Sequence, residues 1–213
     1  TEKFALMDVA LWLTKPANIG IRQVLHFSRC GDPFSMCHYH STPRILIRND
    51  EIENVLEASD FEQASRFLNV IASLARDRTC RVAIWFLIRA VTEPLWQGRY
   101  LWQWIVLEGL FGSENPNETS YRLAQRIAFF TEKLPHDRKL RFKEMKDAYT
   151  WRSKLVHGGR TGSLTADKSE ALTSVVEAVI RQGLKRILAE PEIVKIFDSK
   201  ARDGYLEDLV FKI

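Results

Sequence analysis

The stretch from 79 to 111, TCRVAIWFLIRAVTEPLWQGRYLWQWIVLEGLF, most constrains the fold. It is apolar on nearly every side, interrupted at Pro94 and Gly98, and carries Trp85, Trp96, Trp102 and Trp104. A helix without a polar face belongs in the middle of a bundle or at a subunit interface. VAIWFLIRAV, the most apolar piece, is too short to span a bilayer and holds Arg89, so no membrane segment is expected. From about residue 50 onward, the rest of the chain also follows a helical period.

Asp60 or Ser59 is placed to cap a helix whose stripe is Phe61, Ala64, Phe67, Leu68, Ile71 and Leu74. GSENPNE is a loop, and Thr119 or Ser120 starts a helix with Leu123, Ile127, Phe130 and Leu134 in step. Pro135 breaks that helix, and a basic helix is expected from about 137 to 157, stopped by Gly158-Gly159. GRTGS is a turn. Thr165 caps the next helix, which is lined by Leu172, Val175, Val176, Val179, Leu184 and Leu188 and ended by Pro191. EIVKIF and GYLEDLVF read as short terminal helices.

Residues 1–58 read differently. IGIRQVLHF and RILIR are short and β-branched, separated by the turn-rich CGDPFS and by Pro43, which suggests a β-hairpin or small sheet. The expected organisation is a β-containing segment at 1–58 and a helical domain at 59–213. The early run FALMDVALWL is followed by Lys15-Pro16 with no small-residue cleavage site, so it does not read as a signal peptide. The chain starts at Thr1 instead of Met, so it is expected to be trimmed or the C-terminal part of something longer.

With 46% apolar and 27% charged residues, the composition is that of a globular chain. Three scattered cysteines suit a reducing cytoplasm better than a disulfide framework. His26, Cys30, Cys37, His38 and His40 are five candidate metal ligands within fifteen residues. His26-x3-Cys30 is a permissible zinc spacing, but Cys37-His38-Tyr39-His40 is crowded. Loop and strand residues are the simpler reading, with a structural zinc domain as the alternative. No metal or cofactor is assigned.

Charge is concentrated. Between Lys133 and Arg160 nine Lys or Arg face three acids, a local +6 in a chain whose net charge is +4. Such a segment attracts phosphates, unless it is only a solvated helix face. Inside it lies YTWRSKLVHGG, residues 149–159. The pattern R-x4-H of Arg152 and His157 is weak alone, since about one chance match is expected in a chain of this composition. On an ideal helix the two residues are about 140° and about 7.5 Å apart, so they converge only at a distorted helix end or across a two-fold axis. Ser153 and His157 share a face. Helix-end cations that offset the C-terminal dipole are the competing reading. Glu108, the lone acid between Glu93 and Glu114, is either on the helix rim or paired, and Arg152 is its candidate partner. Tyr149 and Trp151 beside these cations are stacking or core residues.

In order and spacing, LEGLFG, SYRLAQRIAFF, DAYTWRSKLVHGG and VIRQGLKRILAEPEIVKIF resemble the Apea-like branch of the HEPN superfamily, over roughly residues 60 to 213. The resemblance implies a mainly α, HEPN-like helical bundle that dimerises. The Arg and His of R-x4-6-H from both copies would meet in an interface cleft, often as a metal-independent RNase in prokaryotic defence or a toxin-like role. Carried over residue by residue, it implies Arg152, His157, Glu108 and Ser153 as catalytic. Tyr149, Lys154, Arg160 and Lys146 would bind RNA. Gly159 stands where some members carry a nucleotidylated Tyr, so that form of silencing is not expected. The expected partners are RNA, a second copy and other parts of a defence system, with no membrane and a cytoplasmic setting. The alternative is an inactive HEPN module that binds RNA or nucleotide, or that dimerises a larger defence protein.

Overall fold

The computed structural model describes residues 2–15, 23–30, 32–41, 55–75, 80–113, 119–158 and 164–211, with backbone alone over 23–41. The chain is mainly helical and divides into two compact units, Thr1–Ala72 and Ser73–Ile213.

In the first unit, the run at the N-terminus forms helix α1 (Glu2–Thr14), which the strand-centred reading of this segment did not foresee. Leu6, Val9, Ala10, Trp12 and Leu13 are buried there. A short helix apolar on most sides shows no clean period, and this one is stabilised by burial. Strands β1 (Gln23–Cys30) and β2 (Asp32–Ser41) pair antiparallel, with His26 opposite His38 and an irregularity after each of His26 and Ser28. Most of CGDPFS therefore lies within the two strands instead of separating distant ones. RILIR lies outside the described residues, as do the side chains of the His26/Cys30/Cys37/His38/His40 cluster.

Helix α2 (Ala58–Leu74) begins the helical run. Asp60 sits inside its first turn, and its carboxylate accepts the Glu57 N–H at 2.9 Å, the return half of a capping box. Ala64, Phe67, Ile71 and Leu74 are buried as expected, but Phe61 is 53% exposed.

The second unit is a bundle of α3 (Arg81–Thr92), α4 (Trp96–Phe111), α5 (Thr119–Thr131), α6 (Pro135–Val156), α7 (Ala166–Ala189), α8 (Pro191–Phe197) and α9 (Ala201–Phe211). Helix α4 is central and touches α3, α5, α6 and α7. Of the four tryptophans in this segment, expected in the bundle or at a subunit interface, only Trp104 is fully buried. Trp85 is 37% exposed, and Trp102 is half-buried and stacks on Phe86 of α3 at 5.3 Å. The core is instead keyed by Phe111, Phe130 and Phe197, rings from α4, α5 and α8 with centroids 5.2–6.0 Å apart.

Pro135 does separate two helices, but as the first residue of α6, where a missing N–H costs nothing. Leu134, expected in the α5 stripe, is the extended N-cap residue and is 63% exposed. Thr165 caps α7 as expected, its hydroxyl accepting the Lys168 N–H at 3.3 Å. Buried Arg126 on α5 bridges to Asp203 at 2.6 Å and Glu207 at 3.3 Å on α9, and donates to the Gly112 carbonyl at 3.2 Å. It fastens three elements at one end of the bundle. Among the described residues no helix is long and apolar enough to cross a membrane.

Candidate functional site

Helices α4 and α6 meet along a ladder of three rungs. The Tyr100 hydroxyl donates to the Ala148 carbonyl at 2.6 Å. Burial pushes that hydroxyl's pKa up to about 12, so it remains a donor throughout the ordinary pH range. Trp104 meets Tyr149 edge to face with centroids 5.1 Å apart. Glu108 then meets Arg152. Residues 100, 104 and 108 recur every four, so they share one face of α4. Their partners ascend in step, so the two helices run in the same sense. Tyr100 and Trp104 are the supporting residues that motif reading missed; their four-residue spacing ahead of Glu108 was the available signal.

The top rung is an ion pair. Arg152 Nη2 lies 3.0 Å from Glu108 Oε1 and 3.3 Å from Oε2, with hydrogen-bond geometry met at Oε2. One nitrogen therefore donates to Oε2 and lies close to Oε1, which has no hydrogen-bond partner of its own. The side chains are 23% and 27% exposed. Burial raises the Glu108 pKa above the ordinary carboxylate value, and the Arg152 charge only partly offsets this. The Arg152 guanidinium also lies 5.4 Å from the Tyr149 ring centre. Burial raises the Tyr149 hydroxyl pKa, Arg152 lowers it and Glu108 raises it again. The pairing answers one sequence question: Arg152 is not a helix-end cation, because its charge is engaged across the α4–α6 seam.

His157 follows α6 as its C-cap residue, with φ −92° and ψ 13°, and its N–H donates to the Ser153 carbonyl at 3.0 Å. Gly158 has φ +66°, the left-handed conformation that ends the helix and that glycine adopts without strain. The His157 ring is exposed, and no hydrogen bond joins it to Arg152. Ser153 is half-buried one turn before it. The two motif residues therefore stand at one end of one helix, with Arg152 in the seam and His157 at the rim.

The remaining candidates divide. Tyr149 has its ring in the seam between Trp104 and Arg152. Lys154 is exposed, with Nζ 4.1 Å over the Trp151 ring. Lys146 is exposed farther back on α6, near Tyr121 and Phe142. Arg160 lies outside the described residues. Not all of the basic segment is available to a ligand: Arg141 is paired with Glu132 at 3.0 Å and with Glu144 at 2.5 Å. Cys80 is buried, donates to the Phe197 carbonyl at 3.2 Å, and has its pKa pushed by burial to about 11, so it packs instead of reacting. Among the described residues no three His, Cys, Asp or Glu side chains are grouped to hold a metal ion.

Compared with family models, with curated proteins and with solved structures, the chain matches none.

Proposed function

We propose that the chain is an HEPN-like endoribonuclease that works as a homodimer and needs no metal ion for the chemical step. The observation that supports this most is the Glu108–Arg152 pair, held in the α4–α6 seam five residues before an exposed histidine, in the most basic segment of the chain. A dimer across this helix end would bring two copies of His157 toward two held arginines. That removes the angular mismatch of a single helix.

RNA supplies its own nucleophile. The His157 imidazole takes the proton of the 2′-OH, and the 2′ oxygen attacks the adjacent phosphorus. The bond from phosphorus to the 5′ oxygen breaks, and that oxygen leaves with a proton from a second imidazolium. Imidazole can both take and give a proton near neutral pH, which suits the two transfers. Arg152 binds the phosphoryl oxygens and stabilises their developing charge. Glu108 and Ser153 position it, and Lys154, Arg160 and Lys146 attract the strand. The products are a 2′,3′-cyclic phosphate and a 5′-OH. DNA lacks the 2′-OH and is bound without being cut. The setting that goes with this reading is cytoplasmic, in prokaryotic defence or a toxin-like role.

A second reading is favoured by one observation: His157 makes no hydrogen bond to Arg152 within the chain. Here the domain binds RNA or nucleotide, or dimerises a larger defence protein, without cutting. The test is cleavage of tRNA and single-stranded RNA in excess EDTA by wild type, Arg152→Ala and His157→Ala, with product ends mapped. Cutting by wild type alone, leaving cyclic phosphate ends, is the expected result. Equal cutting by all three would sink the site assignment. Binding without cutting by wild type selects the second reading.

A further inference from the structure

The first half of α6 packs on α5 and leaves a groove of about 300 Å³ between them, lined by Tyr121, Gln125, Phe129, Arg138, Lys139 and Phe142. Three features set it apart from an ordinary helix crevice. Its floor is aromatic: Tyr121 and Phe142 meet edge to face with centroids 5.0 Å apart, and Tyr121 is 47% exposed. In that geometry the ring offering its edge has neither face covered by its neighbour. Its rim is cationic. The Arg138 guanidinium lies 4.7 Å from the centre of the Phe129 ring, Lys146 Nζ lies 5.6 and 5.7 Å from Tyr121 and Phe142, and Lys139 is exposed. Among the described residues its lining holds no acid. Glu207 lies in an adjoining pocket that shares Tyr121 and Gln125, where Arg122 and Arg126 pair with it, and Glu132, Asp137, Glu144 and Asp147 line a separate pocket with Arg141 and Lys143.

We propose that this α5–α6 groove seats single-stranded RNA, with bases on Tyr121 and Phe142 and phosphates on Arg138, Lys139 and Lys146. Exposed aromatic faces beside cations, with no carboxylate among them, complement a strand whose bases are splayed and whose backbone is anionic. An acidic protein segment would use the cations but has no need of the open rings. The groove lies on the helix that ends in Arg152 and His157. Phe142 and Tyr149, seven apart, share a face, and Arg152 lies about 15 Å along the axis from Phe142. A strand held in the groove is thus directed along α6 toward that end. This assignment rests on the RNA reading above and adds a place where substrate is gripped away from the cutting residues.

The test separates grip from cutting. A fluorescent 2′-O-methyl oligouridylate, which lacks the attacking hydroxyl, is titrated into the full chain across a salt series. Tyr121→Ala should weaken binding about 5- to 100-fold with little change in salt slope, while Tyr121→Phe binds as wild type. Lys139→Glu with Lys146→Glu, at two exposed positions, should weaken binding and flatten the slope by about 1.4, about 0.7 per lost cation. A strand of abasic residues should bind more weakly than oligouridylate. Wild-type affinity in both Tyr121→Ala and the double lysine variant would overturn the groove, as would equal affinity for the abasic strand. Displacement of the strand by a polyglutamate peptide at equal concentration, or no binding by wild type, would also overturn it. Cleavage of ordinary RNA is scored separately. Normal cutting with groove-independent binding removes this inference alone, and groove-dependent binding with no cutting removes the nuclease reading alone.

Discussion

Glu108 is the site carboxylate on which burial and a neighbouring cation pull in opposite directions. Its pKa lies above the usual 4.5, because burial costs the carboxylate more than Arg152 returns. Between the unfolded and folded pKa values the folded chain holds a proton that the unfolded chain has lost. The contribution of Glu108 to stability is therefore full below the unfolded pKa and falls as pH rises through the folded one. Glu108→Gln has no such window. Urea midpoints taken from pH 4 to pH 7 should show wild type losing ground to Glu108→Gln as pH rises. An unchanging difference would mean that Arg152 offsets burial in full, and a gain by wild type would mean that the pair governs the carboxylate. Arg152→Ala raises the opposite problem, since it leaves Glu108 three-quarters buried without its cation. That variant should lose about 1–3 kcal/mol of unfolding free energy and bind RNA more weakly. Any change in cutting should be read beside a stability measurement.

At the scale of elements, the site depends on how α4 and α6 are registered. The Tyr100 hydroxyl is the buried hydrogen bond that sets this one rung below Tyr149. Tyr100→Phe should cost about 1 kcal/mol by removing this buried hydrogen bond, the Ala148 carbonyl keeping its bond within α6, with far-UV dichroism unchanged. If the register matters to function, cleavage should fall further than the stability loss explains. The end of α6 is the other control point. Gly158 is at φ +66°, so Gly158→Ala should lose about 1 kcal/mol in thermal unfolding, with Gly158→Asn in between. The helix stop was legible in Gly158-Gly159, and the Thr165 cap in its hydroxyl, because caps are local chemistry. The role of Pro135 was half legible: a proline marks a boundary, but whether it ends one helix or begins the next depends on what packs on either side. Helix α1 was not legible as a helix, since a run apolar on most sides has no period to read.

For the whole molecule, two charged clusters hold the same end of α4. Glu108 carries the seam that binds Arg152. One turn on, at Gly112, Arg126 bridges α5, α9 and the end of α4, with its side chain 3% exposed between Asp203 and Glu207. Arg126→Met should destabilise by about 2–3 kcal/mol, the half-exposed carboxylates keeping the loss below that of a fully buried pair. RNA binding should be unaffected in the folded fraction, measured by anisotropy below the unfolding transition. Loss of RNA binding there would show that the α5–α9 junction also shapes the binding surface.

The sequence by itself determined the helical character of the chain from α2 onward, the Thr165 cap and the Gly158 stop, the position of Arg152 and His157 at one helix end, and the concentration of charge on α6. Each of these follows from neighbours within a turn or two, where spacing and side-chain chemistry suffice. Only the tertiary structure decided that Trp104 alone of the four tryptophans in α3 and α4 fills the core, and that Phe61 and Leu134 face outward. It also decided that Arg152 crosses to Glu108 through one nitrogen, and that Tyr121 and Phe142 meet to form a groove. Those outcomes join residues 21 to 44 positions apart. Such contacts follow from which helix faces bury the most apolar surface against each other, and that competition is settled only when all the helices pack.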